Sequence, residues 1–533
     1  MSMDTQKTSD IPVVMPSSQR MVYQFPVYRW IGWLTVAGYA IGLVIMFFLA
    51  GMFGIHAPIG WAFLVLVFCV GTFLLDRPKL LLNCMMFYFL LMPSNRLFGL
   101  IGLPLPGFID ELFFLPFIAV MIMNWIQRRS IQGGTWFPIA FIVVGLLSWY
   151  VNGKGAPFRL AQVTLIMLKF YIIWYYCRLT CIFEDAKHFW RWGELYIYYA
   201  AIQFLYNCLW QRGPFVRFHP DNSGGVFGPD GSGGAHLVGY ISILALFLLA
   251  GWWMGPGRAA SRRKRYWMLF LCMVISYDLI FMTDTKHGLL MMPVAFIPFV
   301  FHPIVPARTR SLLLGFGGVF LLLAFSYVAT FTNTRDFRKF LIQMADSPKG
   351  EMMHAVTGDF KYLVPYPMLG AGPGKFGSSQ SAKDQTRLAR RYILPYEDEM
   401  RRSSLTYRGG TRTGGSQLAW PQSDFFTLMG EFGWVGTLVY FSFFVWVCMK
   451  LWGKAKDLHQ DANLGGAYLA LGAGVIFLAE TMFVVMSVTV PVLAFPLWML
   501  AGRVWDMKLA SSDSGELDKT ALMPRLPTGN MPL

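Results

Sequence analysis

Charge is what this chain has least of. Asp, Glu, Lys and Arg make up 14% of its 533 residues, where a soluble domain carries about a quarter. That deficit excludes a water-soluble enzyme. Acid is scarcer than base: 29 Asp and Glu against 45 Lys and Arg give a net charge of +16. In so apolar a chain the excess points first to flanking loops of unequal charge and then to an anionic ligand, not to nucleic acid. Cysteine is sparse as well, and all seven (Cys69, Cys84, Cys177, Cys181, Cys208, Cys272 and Cys448) lie in apolar segments. No disulfide framework across outer loops is expected from that placement. Cys177 and Cys181 share a helix face, where buried packing outweighs metal binding. The sequence also lacks a zinc-protease helix motif, a paired-cysteine metal site and a GxSxG elbow. It lacks an internal repeat, which counts against transporters assembled from two similar halves.

What the chain does have is apolar length. Hydrophobic residues are 55% of it, aromatics 17%, and its mean hydropathy is +0.47. Runs of about 20 apolar residues, enough to cross a ~30 Å hydrocarbon layer, recur along nearly the whole sequence. The polar N-terminus lacks the pattern of a cleaved signal and is expected to stay attached. Apolar windows fall near 30–52, 58–75, 80–92, 108–126, 135–151, 160–181, 192–210, 235–254, 267–283, 287–305, 311–331, 425–449, 465–488 and 490–506. The expected fold is an all-α polytopic membrane protein of about fourteen spans with one large, partly helical outer loop. Its parts are a cytoplasmic tail (1–29), the first eleven spans (30–331), a periplasmic loop subdomain (332–422), three further spans (423–506) and a second cytoplasmic tail (507–533).

Orientation follows from the basic loops, which stay on the cytoplasmic side. The loop 258–266 carries Arg258, Arg262, Arg263, Lys264 and Arg265 and no acid. Counting spans outward from it puts Arg77/Lys79, Arg128/Arg129, Arg308/Arg310 and Lys454/Lys456 on the same side, and both termini with them. The loop after Thr332 is longer than the roughly 60 residues over which that rule operates, so its basic excess leaves the topology intact. It is a cationic lid, with 14 Lys and Arg against eight acids. A helix is predicted over 381–392, placing Arg387, Arg390 and Arg391 at i, i+3 and i+4 on one face. Such a guanidinium cluster suits phosphate oxygens, and a solvated basic helix explains it equally well.

Charges inside spans are costly and are functional candidates. Lys169, Asp278 and Glu480 sit within spans; the plainer alternative is a buried Lys–carboxylate pair that fastens helices. Asp110 and Glu111 lie at an outer span end, where carboxylates also cap helices. On the outer side, Arg217 and His219 come where the segment 211–234 meets the membrane surface, followed by a glycine-rich stretch. The turn 283–288, Thr-Asp-Thr-Lys-His-Gly, presents Lys286 and His287 to the same vestibule, although an interfacial lysine snorkelling to water reads the same way. The run 365–377 contains Gly-Pro-Gly-Lys but fails as a phosphate-binding loop. Leu369 stands where its first glycine belongs and Phe376 where Ser or Thr is required.

Four features in order, Gly370-Ala-Gly372, Gln422-Ser423, Glu431 and Gly433-Trp-Val-Gly436, resemble the late outer loop of the O-antigen ligase and Wzy-type polysaccharide polymerase superfamily. The turn 283–286 looks like the family's Ser-Arg turn with Lys in place of Arg, and Arg217 lies where the family places an outer-loop Arg. The resemblance covers roughly residues 200–450 and implies a GT-C-like membrane glycosyltransferase of the bacterial inner membrane. One departure matters: Gln422 stands where the ligases place a His, and Gln takes no proton at neutral pH. Either Glu431, Asp424 or His354 substitutes as the base, or the reaction relies mainly on stabilising the leaving group.

The resemblance implies inverting transfer of a glycan from a polyprenyl diphosphate to a sugar hydroxyl at the periplasmic face, without metal or cofactor. Arg217 and Lys286 would stabilise the leaving diphosphate. His219, His287, Lys169, Arg387, Arg390, Arg391, Gly370, Gly372 and Gln422 would line the substrate. Polymerase ranks ahead of ligase because of Gln422, and a lipid-linked oligosaccharide flippase is the alternative from another class. The partners implied are the polyprenyl-diphosphate-linked oligosaccharide, membrane lipids and a chain-length regulator.

Overall fold

A computed structural model of the chain describes residues 86, 117–118, 121, 134–153, 155–180, 186–210, 224–225, 232–283, 285–331, 348–395, 423–457, 462–484 and 491–504. Among them every regular element is helical. In chain order these are α1 (Trp136–Val151), α2 (Pro157–Thr180), α3 (Ala186–Trp210), α4 (Ser232–Met254), α5 (Arg262–Tyr277), α6 (Lys286–Ala295), α7 (Ile297–Phe301) and α8 (Ala307–Phe331). Four short helices belong to the loop: α9 (Pro348–His354), α10 (Phe360–Leu363), α11 (Ser379–Lys383) and α12 (Arg387–Tyr392). The last three are α13 (Asp424–Asp457), α14 (Ala462–Thr481) and α15 (Pro491–Val504).

Five stretches are long and apolar enough to cross a membrane: Pro157–Arg178, Ala235–Met254, Arg262–Met282, Asp424–Lys456 and Asn463–Thr481. Trp136–Val151 and His287–Phe301 are shorter apolar helices. The four windows expected before residue 130 lie outside the described residues, apart from Met86, Phe117, Ile118 and Met121. The window at 287–305 is not one rod. Pro293 and Pro298 withhold two backbone N–H groups, and the chain breaks at Phe296 into α6 and α7.

Two kinds of packing hold the bundle. α4 is apolar all round, as a central helix must be, and it lies against α14 where Gly251 meets Gly466. A Cβ on Gly251 would stand 2.4 Å from the Gly466 carbonyl oxygen, so the missing side chains let the two backbones touch. Around α1, α2, α13 and α15 the aromatics interlock: ring centroids are 4.4 Å apart for Phe137–Phe443, 4.6 Å for Phe141–Phe432 and 4.8 Å for Phe170–Trp498. Each such pair adds about 0.5–1.5 kcal/mol beyond its buried area.

The helix ends sort onto two levels. At one level Glu194 accepts from Lys264 Nζ at 2.7 and 2.9 Å and from Trp252 Nε1 at 2.9 Å. Trp190 Nε1 donates to the Asn463 carbonyl at 3.0 Å, and His302 Nε2 lies 3.2 Å from the Trp452 carbonyl oxygen. These contacts bring the segments 258–265, 302–310 and 452–457, with the start of α14 at 462–463, to one end. The described part of the loop 332–422 packs at the other.

Candidate functional site

The far end is organised by Glu431, which is fully buried about two helical turns into α13. Its carboxylate accepts three backbone hydrogen bonds from the glycine segment, from Gly374 N at 2.6 Å, Phe376 N at 3.1 Å and Ser378 N at 2.9 Å. The main chain reinforces the dock: Ala371 N donates to the Gly430 carbonyl at 2.7 Å and Gly372 N to that of Glu431 at 3.1 Å. From α1, Ser148 Oγ donates to the same Glu431 carbonyl at 3.0 Å.

The glycines explain themselves here. Gly370 and Gly433 both hold positive φ, +76° and +70°, which costs an L-residue about 1–2 kcal/mol. They also face each other. A Cβ on Gly370 would lie 2.5 Å from Gly433 N, and one on Gly433 would lie 2.2 Å from the Met368 carbonyl oxygen. Gly433 is where α13 kinks, so the loop seats in the kink.

Lys375, next in the segment, does not reach an open anion site. Its Nζ donates to the Asn152 carbonyl at 2.8 Å and to that of Gly153, closing the C-terminal end of α1, where a cation meets the negative end of the helix dipole. Partial burial, and then the neighbouring Arg159 charge, hold its pKa below the usual lysine value. Asn152 Oδ1 accepts from Tyr366 N at 2.9 Å, and Arg159 pairs with Asp384 at 2.6 Å. With its amides taken by Glu431 and its lysine by α1, this Gly-Pro-Gly-Lys run is a docking clip, not a phosphate cradle.

A second anchor lies beside the first. Lys349, on α9, is 6% exposed, and its Nζ donates to the Val484 carbonyl just past α14. Burial pushes its pKa down to about 7, against the opposing pull of Asp424. Asp424 opens α13 and is fully buried. The same turn after α14 accepts Phe425 N at the Met482 carbonyl, 3.1 Å, while the Phe425 and Phe483 rings sit 4.1 Å apart.

A third polar group lies where α4 and α6 begin and α5 ends. Tyr240 Oη is hydrogen-bonded to His287 Nε2, and the His287 ring centroid is 4.7 Å from that of His236. All three side chains are buried. Asp278 begins a π-helical turn, Asp278–Met282, and is met by Asn207 Nδ2 at 3.2 Å; Asn207 Oδ1 in turn accepts from Gly225 N at 2.7 Å. Asp278 is thus held by an amide. Lys286 opens α6 at this level, and Lys169 is buried within α2.

Several sequence expectations change. The single helix expected over 381–392 is two, α11 and α12, parted at Gln385 with φ +48°. Thr386 restarts the chain: its Oγ1 donates to the Lys375 carbonyl at 2.7 Å and accepts from Ala389 N at 3.4 Å. Only Ala389 and Tyr392 of α12 face inward, so Arg387, Arg390 and Arg391 are all exposed and do not enter the buried site. His354 is also on the outside, its side chain 77% exposed and its Nδ1 3.8 Å from Asp359. Gly370 and Gly372 meet Glu431 and Gly433, whereas Asp424 lies two helical turns before Glu431, at the start of α13. Arg217, His219, Gln422, Asp110 and Glu111 lie outside the described residues.

Sequence reasoning passed over Lys349 as a site residue and did not notice Asn152, Asn207 or Tyr240. Asn152-Gly153 directly after an apolar run is a helix-end signal that would have found the first of these. Nothing local marks Lys349 apart from the other lysines of the loop. No protein-family model matches the chain, and no characterised protein does either.

Proposed function

We propose that the chain is a bacterial inner-membrane polysaccharide polymerase, moving a glycan from polyprenyl diphosphate to the hydroxyl of a lipid-linked repeat unit at the periplasmic face. The observation that carries this reading is the docking of the loop. Gly370, Gly372, Glu431 and Gly433, four of the residues that carry the family resemblance, form one buried joint between a lid and the head of a helix long enough to span a membrane. A flippase needs no such lid. Gln422 in place of a base favours polymerase over ligase.

In this reading the acceptor oxygen attacks the anomeric carbon, the bond to the diphosphate oxygen breaks, and the hydroxyl proton passes to Asp424, the carboxylate beside Lys349. Proton transfer of this kind contributes about 10²–10⁴-fold. Arg217 and Lys286 neutralise the departing diphosphate, each such donor in a dry site being worth about 10²–10³-fold. Glu431 already accepts three N–H bonds, so its part is to position the lid.

The test is reconstitution of the purified protein with a polyprenyl-diphosphate-linked repeat unit and no nucleotide, read as glycan length. Lengthened product, reduced at least about 100-fold by Arg217→Ala or Lys286→Ala, is the expected outcome. Substrate that changes leaflet but not length rejects the polymerase in favour of the flippase.

A further inference from the structure

At the basic end of the bundle, two neighbouring helices present a pattern unrelated to the lid. On α3 the exposed positions are Lys187, Arg191, Leu195, Ile202, Leu205 and Leu209, with His188 beside them; the first six advance by three, four or seven and therefore share one face. On α5 they are Arg262, Tyr266, Phe270, Met273 and Tyr277, again one face, with Arg263, Trp267 and Leu269 beside it. Each stripe is apolar along its length and has an exposed arginine at its foot.

The two stripes are held side by side and run in the same direction. Lys264, in the first turn of α5, and Glu194, about two turns into α3, join the helices at 2.7 Å, and the Phe204 and Tyr277 rings meet edge to face at 5.8 Å some three turns later. Among the described residues at the foot, the carboxylate is Glu194, and Lys264 and Trp252 already engage it. Arg258, exposed on the turn before α5, adds to Arg191, Arg262 and Arg263. Guanidinium groups bind phosphate oxygens in bidentate fashion. Exposed Tyr and Trp at this depth sit at the headgroup level of a bilayer.

We propose that α3 and α5 form a binding site for an anionic phospholipid, its acyl chains lying along the two apolar stripes and its phosphates on Arg191, Arg262 and Arg263. Two feet, one on each helix, fit a lipid with two phosphates and four chains. Charge complementarity decides the class: a zwitterionic headgroup would bring its own cation against these arginines. The site needs the helices to stand in a membrane but not that the protein polymerise glycan.

The test is thermal unfolding of the detergent-purified full chain with cardiolipin, with phosphatidylcholine at equal mole fraction, and with inorganic pyrophosphate. Cardiolipin is expected to raise Tm by roughly 4 °C, the shift for a ligand bound well above its Kd, while the other two leave it in place. Arg191→Gln/Arg262→Gln/Arg263→Gln should lose most of that shift at an unchanged lipid-free Tm. An equal shift with phosphatidylcholine, the same shift with pyrophosphate alone, or a full cardiolipin shift in the variant overturns the proposal. Should the triple variant unfold too readily to compare, native mass spectrometry of Arg263→Gln decides. Less co-purifying cardiolipin than in the parent supports the site, and an equal amount overturns it.

Discussion

At the scale of single residues, Glu431 shows how a buried carboxylate serves structure. Three amides reach it, and a Gln there turns an NH₂ toward at least one of them, leaving a buried donor opposed at a cost of about 1–3 kcal/mol. Glu431→Gln should therefore lower Tm and expose the segment 370–395 to protease, and Glu431→Ala should do so more strongly. An inactive Glu431→Gln protein with unchanged Tm and protease resistance would return Glu431 to the role of base. Gly433→Ala meets both a strained φ and the Met368 carbonyl, and its expected cost is about 2–4 kcal/mol, read by the same unfolding measurement. These residues were visible in the sequence as a motif. Their purpose was not, because spacing along a chain does not disclose that an acid 57 residues away closes onto Gly374.

At the scale of elements, α9 is tied down by one lysine. Its ammonium has a folded pKa of about 7, below the usual 10.5. Between those values the unfolded chain holds the proton that the folded protein has lost, so stability rises with pH across that window. The lid should be loosest at and below pH 7 and tighten toward pH 10, as followed by the rate of proteolytic cutting within 348–395. Lys349→Met should flatten that profile; a slope retained in the variant assigns the pH dependence to another group. The five stretches able to cross a membrane were legible because their signal is bulk apolarity, whereas loop helices depend on single capping residues such as Thr386 and on one left-handed residue, Gln385. The break between α6 and α7 was written in Pro293 and Pro298, but an averaged apolar window passes over it.

At the scale of the whole molecule, sorting of helix ends gives a topology that can be checked without knowing the reaction. Arg391→Cys on the lid should react with an impermeant maleimide in spheroplasts, and Arg263→Cys at the opposite end only after the membrane is opened. Labelling of both in sealed spheroplasts would place the two ends on the same side and dismantle the membrane arrangement. The all-helical class was readable from composition because a chain this apolar has few ways to satisfy its backbone in lipid. The way the lid sits on the bundle was not readable, since it depends on carbonyls and amides that every residue carries.

The seat of Gly370 in the kink at Gly433 has one more consequence. Neither position has room for a side chain while the other segment keeps its path, so selection acts on the two as if they were one letter of the protein. A descendant that loses one of them must reroute both stretches together.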